Sequence, residues 1–263
     1  RREQQPPIYF CLRAMAAAAP AAAPAAGGSI TFPDDYPNSV KHFLLIGSLG
    51  CVVGAVVALY FNLNRTKPSV VHSLLFLIGA TGAMGYYAMW TGLGAVYKTT
   101  DATPRVIFWA RYLTQFVTQP MLLVVLSFVG KFDTPTMVSV VAEDALLVMA
   151  GYLGSTTVAP VKYLWWLTTV FFTVLISYQI LPTAAEAHAV YRNAVYATVV
   201  CLALFNFLWL MGSEGSASLG LSQEVGLYVI VDVVLKSGLG LYLLFNYDAV
   251  CDGDEEISSQ QYV

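Results

Sequence analysis

The sequence predicts an all-α membrane protein, a bundle of seven transmembrane helices, and three observations carry that prediction. The 263-residue chain is 57% hydrophobic and only 11% charged, with mean hydropathy +0.65, whereas a soluble domain carries about 25% charged residues. Seven apolar stretches follow one another, each long enough to cross a ~30 Å hydrocarbon core as a helix. The breaks between them are short and carry turn or charge signals.

Taken in order, residues 1–33 open with Arg1, Arg2 and Arg13 and run into AMAAAAPAAAPAAGG. Alanine, proline and glycine offer too little apolar bulk to pack, so a disordered tail is expected there. Prolines interrupt the alanine run, so it forms no continuous apolar core of a secretory signal. The spans are expected at about 40–63, 69–93, 104–129, 134–154, 160–181, 189–212 and 221–247, with boundaries loose by a few residues. NRTKP, the stretch from Lys98 to Pro104, GKFDTP, Ala159-Pro160, PTAAEAH and GSEGSAS separate them. Short loops of this kind make one antiparallel bundle, residues 34–248. The end, residues 249–263, contains DGDEE and reads as a solvated acidic tail.

Lys and Arg in the loops orient the bundle only weakly. Arg65, Lys67, Lys131 and Arg192 fall on one side, and Lys98, Arg105 and Lys162 on the other. The positive-inside rule then favours an extracellular N-terminus, with the plasma membrane as the expected location. A net charge of −3 and the lack of any basic stripe argue against nucleic acid. The four cysteines, Cys11, Cys51, Cys201 and Cys251, are scattered and suggest no metal site. Cys51 and Cys201 fall in apolar runs and read as small core residues.

The last span, LSQEVGLYVIVDVVLKSGLGLYLLFNY, places Asp232 and Lys236 at mid-depth. Four positions apart on a helix puts them on one face, about one turn apart. An ionisable group at that depth costs at least ~2.5 kcal/mol and is a functional-site hypothesis by default. A buried lysine is also the usual residue for a Schiff base; the competing reading is an ion pair that fixes helix packing. Arg111 in the third span, and Glu143 and Asp144 in the fourth, are the other charges well inside. The two acids read equally as a polar contact between helices or as cofactor contacts.

Seven spans with a mid-membrane Asp-x-x-x-Lys in the last resemble the microbial (type I) rhodopsins. ARYLTQFVTQPMLLVVLS in the third span, the pair Trp165 and Trp166 in the fifth, and LWLMGSEG with Trp209 and Glu214 after the sixth are similar to the same family. Asp144 and Tyr86 also stand where that family has them. The resemblance covers about residues 40–248, and independent matches in several helices make it specific. It implies retinal bound to Lys236 as a protonated Schiff base, with Asp232 as counterion, Arg111 on the extracellular side, and Trp166 and Trp209 against the polyene. Each tryptophan alone reads as an ordinary core aromatic.

The same resemblance sets the expected subtype. Proton-pumping relatives have an aspartate two positions after Arg-Tyr and a second carboxylate eleven residues on; here these positions are Thr114 and Val125. Threonine cannot hold a proton through a cycle, so proton pumping by that route is not expected. Counting Lys236, Arg111 and Asp232 leaves the centre at +1, which an anion could neutralise with hydroxyl donors from Thr114 and Thr118. Gln115 and Gln119 stand where the family has tryptophan and threonine. Leu202, Phe205 and Asn206 stand in place of a pocket tryptophan, tyrosine and proline. Three amides, Gln115, Gln119 and Asn206, in an ordinarily apolar pocket suggest a water-filled path.

The expected function is therefore a light-gated anion channel, with chloride as the ion, membrane lipid around it, a homo-oligomer left open, and no enzymatic activity. A light-driven inward chloride pump, a photosensor that moves no ion, and a retinal-free seven-helix protein are the competing readings. Glu214 and Glu224 match the family's extracellular carboxylate pair and equally read as solvated loop acids.

Overall fold

Long apolar runs form helices here because a backbone in hydrocarbon must satisfy its own hydrogen bonds. In the computed structural model, which describes residues 37–64, 69–98, 105–185 and 187–247, seven helices are long and apolar enough to cross a membrane. They are α1 (Asn38–Leu63), α2 (Val70–Trp90), α3 (Trp109–Val129), α4 (Thr134–Thr156), α5 (Val161–Ala185), α6 (Ala189–Met211) and α7 (Leu221–Phe245). The chain is an integral, multi-pass membrane protein. Each helix packs on its sequence neighbour and α7 closes the ring against α1. The expected tails at 1–33 and 249–263, and Arg65 and Lys67, lie outside the described residues.

Local chemistry sets several helix ends. Asp133 caps α4 by accepting from the Thr136 amide at 3.2 Å, with Pro135 in the first turn, as caps and early prolines do. The Gln223 side chain accepts from the Gly220 amide at the start of α7. α5 runs through Pro182 to Ala185, four residues past the expected end, and the Thr183 hydroxyl donates to the Ile180 carbonyl there.

The third helix begins at Trp109 rather than at 104, because Arg105–Ile107 (β2) pairs antiparallel with Val96–Lys98 (β1), Val96 opposite Ile107. The sequence reading missed this hairpin. Arg105 anchors it: its guanidinium donates to the carbonyls of Ser155 (2.9 Å) and Thr157 (2.8 Å) at the end of α4. α3 and α7 are the most enclosed helices and α5 the least, and most polar side chains of α3 and α7 lie inside the bundle.

Candidate functional site

Residues Val234–Gly238 form one turn of π-helix inside α7. Such insertions are frequent at functional sites, and this one carries Lys236. The Lys236 ammonium lies 2.9 Å from Asp232 Oδ2, both side chains being almost wholly buried. The same oxygen accepts from the Tyr86 hydroxyl of α2 at 2.7 Å. Asp232 Oδ1 is buried without a partner. The face shared by positions i and i+4 is thus a direct, desolvated ion pair with one tyrosine donor.

On α3, Arg111, Thr114, Gln115, Thr118 and Gln119 are all buried. The Thr114 hydroxyl donates to the Arg111 carbonyl (2.9 Å) and the Thr118 hydroxyl to the Thr114 carbonyl (2.8 Å). These bonds engage the two hydroxyls expected to offer donors to an anion. Each hydroxyl has a single hydrogen, and both hydrogens are engaged with the helix itself. What they present inward is acceptor oxygen.

Toward the end of the bundle that holds the start of α1, Arg111 lies 3.5 Å from Glu224. Its guanidinium stacks 3.8 Å from the centre of the Tyr228 ring. Glu224 also accepts from the Ser213 amide at 2.7 Å. Tyr112 donates to Glu214, and the Lys162 ammonium donates to the carbonyls of Glu214 (3.0 Å) and Gly215 (2.6 Å). Both acids are 1% exposed, which removes the solvated-loop reading. Burial pushes the Glu214 carboxyl up to about 7, against the opposing pull of Arg111. Glu224 beside Arg111, with Glu214 in the same cluster, supplies negative charge that a count of +1 leaves out.

The remaining expected residues are spread around this axis. Leu202, Phe205 and Trp209 of α6 are buried, Phe205 stacking on Tyr228 with centroids 6.0 Å apart. Trp166 donates from its indole to the Asn206 carbonyl at 3.0 Å. Asn206 departs from expectation: its amide bonds Thr169, Thr173 (2.7 Å) and the Leu202 carbonyl (3.0 Å). It ties α5 to α6. Glu143 accepts from Gln179 at 2.7 Å and Ser139 at 3.0 Å, the inter-helix contact among its two readings. Asp144 is fully buried with neither oxygen partnered, and Gln119 Oε1 and the Trp209 indole are orphaned too. Val125 is fully buried.

Sequence reasoning missed Tyr112, Tyr228 and Lys162 as members of the acid cluster. Tyr112 stands beside Arg111 in the ARY motif, a signal that was available. Lys162 gave none, because a lysine near a span end ordinarily reads as an interfacial cation.

Three kinds of likeness agree with this geometry. The family model described as bacteriorhodopsin-like protein matches residues 38–249. The bacteriorhodopsin-II-like protein of Haloquadratum walsbyi is 28% identical over 228 residues, 81% of this chain and 93% of that protein. Among solved structures, the thermophilic rhodopsin of Rubrobacter xylanophilus superposes with TM-score 0.75 at 23% identity, over 81% of this chain and 98% of that one. A light-driven proton pump from Leptosphaeria maculans superposes with TM-score 0.72 at 18% identity, over 81% and 96%. At these identities the two structures establish the fold.

Proposed function

We propose, on the premise that this chain belongs to the bacteriorhodopsin-like family of microbial rhodopsins, that it is a light-gated anion channel. Family membership implies a retinal chromophore held as a Schiff base, which supplies light absorption and isomerisation. The residues present fit such a group. Lys236 is a buried amine, Asp232 stands beside it as counter-charge, and Leu202, Phe205, Trp166 and Trp209 supply apolar and aromatic surface. Asp144, Gln119 and Trp209 also carry buried polar atoms without a partner. In this reading light energy does the work and the protein turns over no substrate, so it is not an enzyme.

The observation that carries the ion assignment is on α3. The helix Trp109–Val129 holds no carboxylate, and Thr114 and Thr118 stand on its buried face. A proton leaving the lysine nitrogen has no acid on α3 to receive it, so the proton is a poor candidate for the ion. Thr114, Gln115, Thr118 and Gln119 are neutral and polar, a lining suited to an ion that Arg111 attracts. An anion using Thr114 or Thr118 must first turn the hydroxyl off its backbone carbonyl, which forgoes about 1 kcal/mol per bond. The ion pair at Glu224 must also loosen before Arg111 attracts anything. Light gating then consists of breaking these contacts, and the dark state is closed. Chloride is the proposed ion, and the proposed location is the plasma membrane, with the N-terminus outside and lipid around the bundle.

A second reading, a photosensor that moves no ion, is favoured by the Arg111–Glu224 pair and by the Asn206 contacts, which tie neighbouring helices together. Voltage-clamp recording during illumination separates the readings. Passive current reversing at the chloride equilibrium potential supports the channel. Current of fixed direction at every voltage means a pump, the inward chloride pump being the alternative, and no current means a sensor. Reversal that ignores chloride and follows protons or sodium overturns the anion assignment.

A further inference from the structure

The side of Lys236 that meets α1 and α2 carries polar chemistry that the ion pair does not use. α1 and α2 approach α7 there through glycines. A methyl group placed on Gly82 would lie 3.0 Å from Cys51 Sγ and 3.3 Å from Lys236 Cδ, so the thiol and the lysine stem rest on the same spot of α2. A methyl on Gly54 would lie 2.5 Å from Ser237 Oγ and 3.2 Å from the Ser237 Cα. Cys51 and Gly54 are three residues apart, on one face of α1. Lys236 and Ser237 are adjacent in the π turn. The wall behind the lysine is therefore built from Cys51, Gly54, Gly82 and Ser237.

Two polar groups in that wall are not engaged elsewhere. Ser237 Oγ is buried with no formed hydrogen bond, and the residue is 5% exposed. Cys51 is fully buried and its thiol is free. Its sulfur stands beside the Ser237 hydroxyl and within the field of both Lys236 and Asp232. A thiol is a weak donor and a soft, polarisable neighbour, so its strength of bonding follows small changes in what surrounds it.

We propose that Cys51, paired with Ser237, is a positioning residue for Lys236: it fixes the lysine stem from the α1 side and is displaced when the stem moves on illumination. The packing is close: a side chain at Gly82 would press on both the thiol and the lysine stem, and one at Gly54 would collide with Ser237. This inference rests on the reading of Lys236 as the retinal lysine.

The test is light-minus-dark infrared difference spectroscopy of the full chain with retinal, read in the S–H stretching region, where a thiol is observed without overlap from other side chains. The wild type is expected to show a difference band. Cys51→Ser should remove it, Cys201→Ser should leave it, and Ser237→Ala should shift it. Cys51→Val should also move the visible absorption band and change the thermal return to the dark state several-fold, with Cys51→Ser returning both toward wild type. If wild-type protein forms no visible pigment with retinal, the reading of Lys236 fails and this inference with it. If pigment forms but no thiol band responds to light, or the band survives in Cys51→Ser, the inference alone is overturned. Because serine is nearly isosteric with cysteine, that variant keeps the test decisive should the valine variant fail to fold.

Discussion

Arg111 and Glu224 lie 3.5 Å apart, both buried, one on the α3 face that leads to Thr114 and the other in the first turn of α7. Their charges cancel within a desolvated cluster that also holds Glu214, Tyr112 and Tyr228. Removing one partner of a buried pair leaves the other uncompensated, which costs about 3–5 kcal/mol. Glu224→Gln is therefore expected to lower thermal stability markedly. It should also increase anion photocurrent relative to pigment content, because the guanidinium charge is then free to attract the ion. Thermal melts and normalised currents check this, and an unchanged current would mean that Arg111 is not on the route.

Lys236→Ala should abolish the visible absorption band of retinal-supplemented membranes, since Lys236 is the buried amine paired with Asp232 at 2.9 Å. A covalent pigment surviving in that variant places the attachment elsewhere.

Asp232→Asn removes the carboxylate that faces Lys236, and Tyr86→Phe removes one of its two donors while keeping the charge. The first should lose the visible form at a pH where the wild type retains it, because an opposite charge beside a cation favours its charged state. The second should do so far less, a hydrogen bond to a charged group contributing about 1.5–3 kcal/mol. Absorption spectra recorded across pH distinguish the two; identical titrations for Asp232→Asn and wild type would refute the counterion role.

Glu214 makes stability depend on pH. Its carboxyl stands at about 7 in the folded protein against an ordinary 4.5, chiefly because of burial. A raised acid binds its proton more tightly when folded, so its contribution is fully present below about pH 4.5 and is lost as pH rises through 7. Unfolding free energy should fall across that window by up to about 3 kcal/mol. Melting temperature measured from pH 5 to pH 8 should decline in the wild type, and much less in Glu214→Gln.

Thr114→Asp places a carboxylate on the face of α3 that presently has none. At an effective dielectric of ~20, a unit charge ~4 Å away is worth about 4 kcal/mol, enough to suppress anion passage. Photocurrents should drop severely, and any residual current should follow the proton gradient.

The class of fold was legible in the sequence because transfer of a long apolar run into hydrocarbon depends on composition and length alone. The Asp232–Lys236 relation was legible for the same local reason, since an i, i+4 spacing fixes a shared helix face. Contacts between helices were not legible. Whether Glu224 is solvated or sits on Arg111, whether the threonine hydroxyls point inward or back onto α3, and whether Asn206 lines a path or clamps α5 are set by register and crossing between helices far apart in the chain. The hairpin at Val96–Lys98 and Arg105–Ile107 was missed because its anchor, Arg105, bonds carbonyls at the end of α4, about fifty residues away. The sequence by itself determined seven spans and a lysine–aspartate centre, through hydrophobicity and helical periodicity. Only the tertiary structure decided the charge balance around that centre, because Coulomb interactions in a buried site depend on ångström-scale distances that periodicity does not encode.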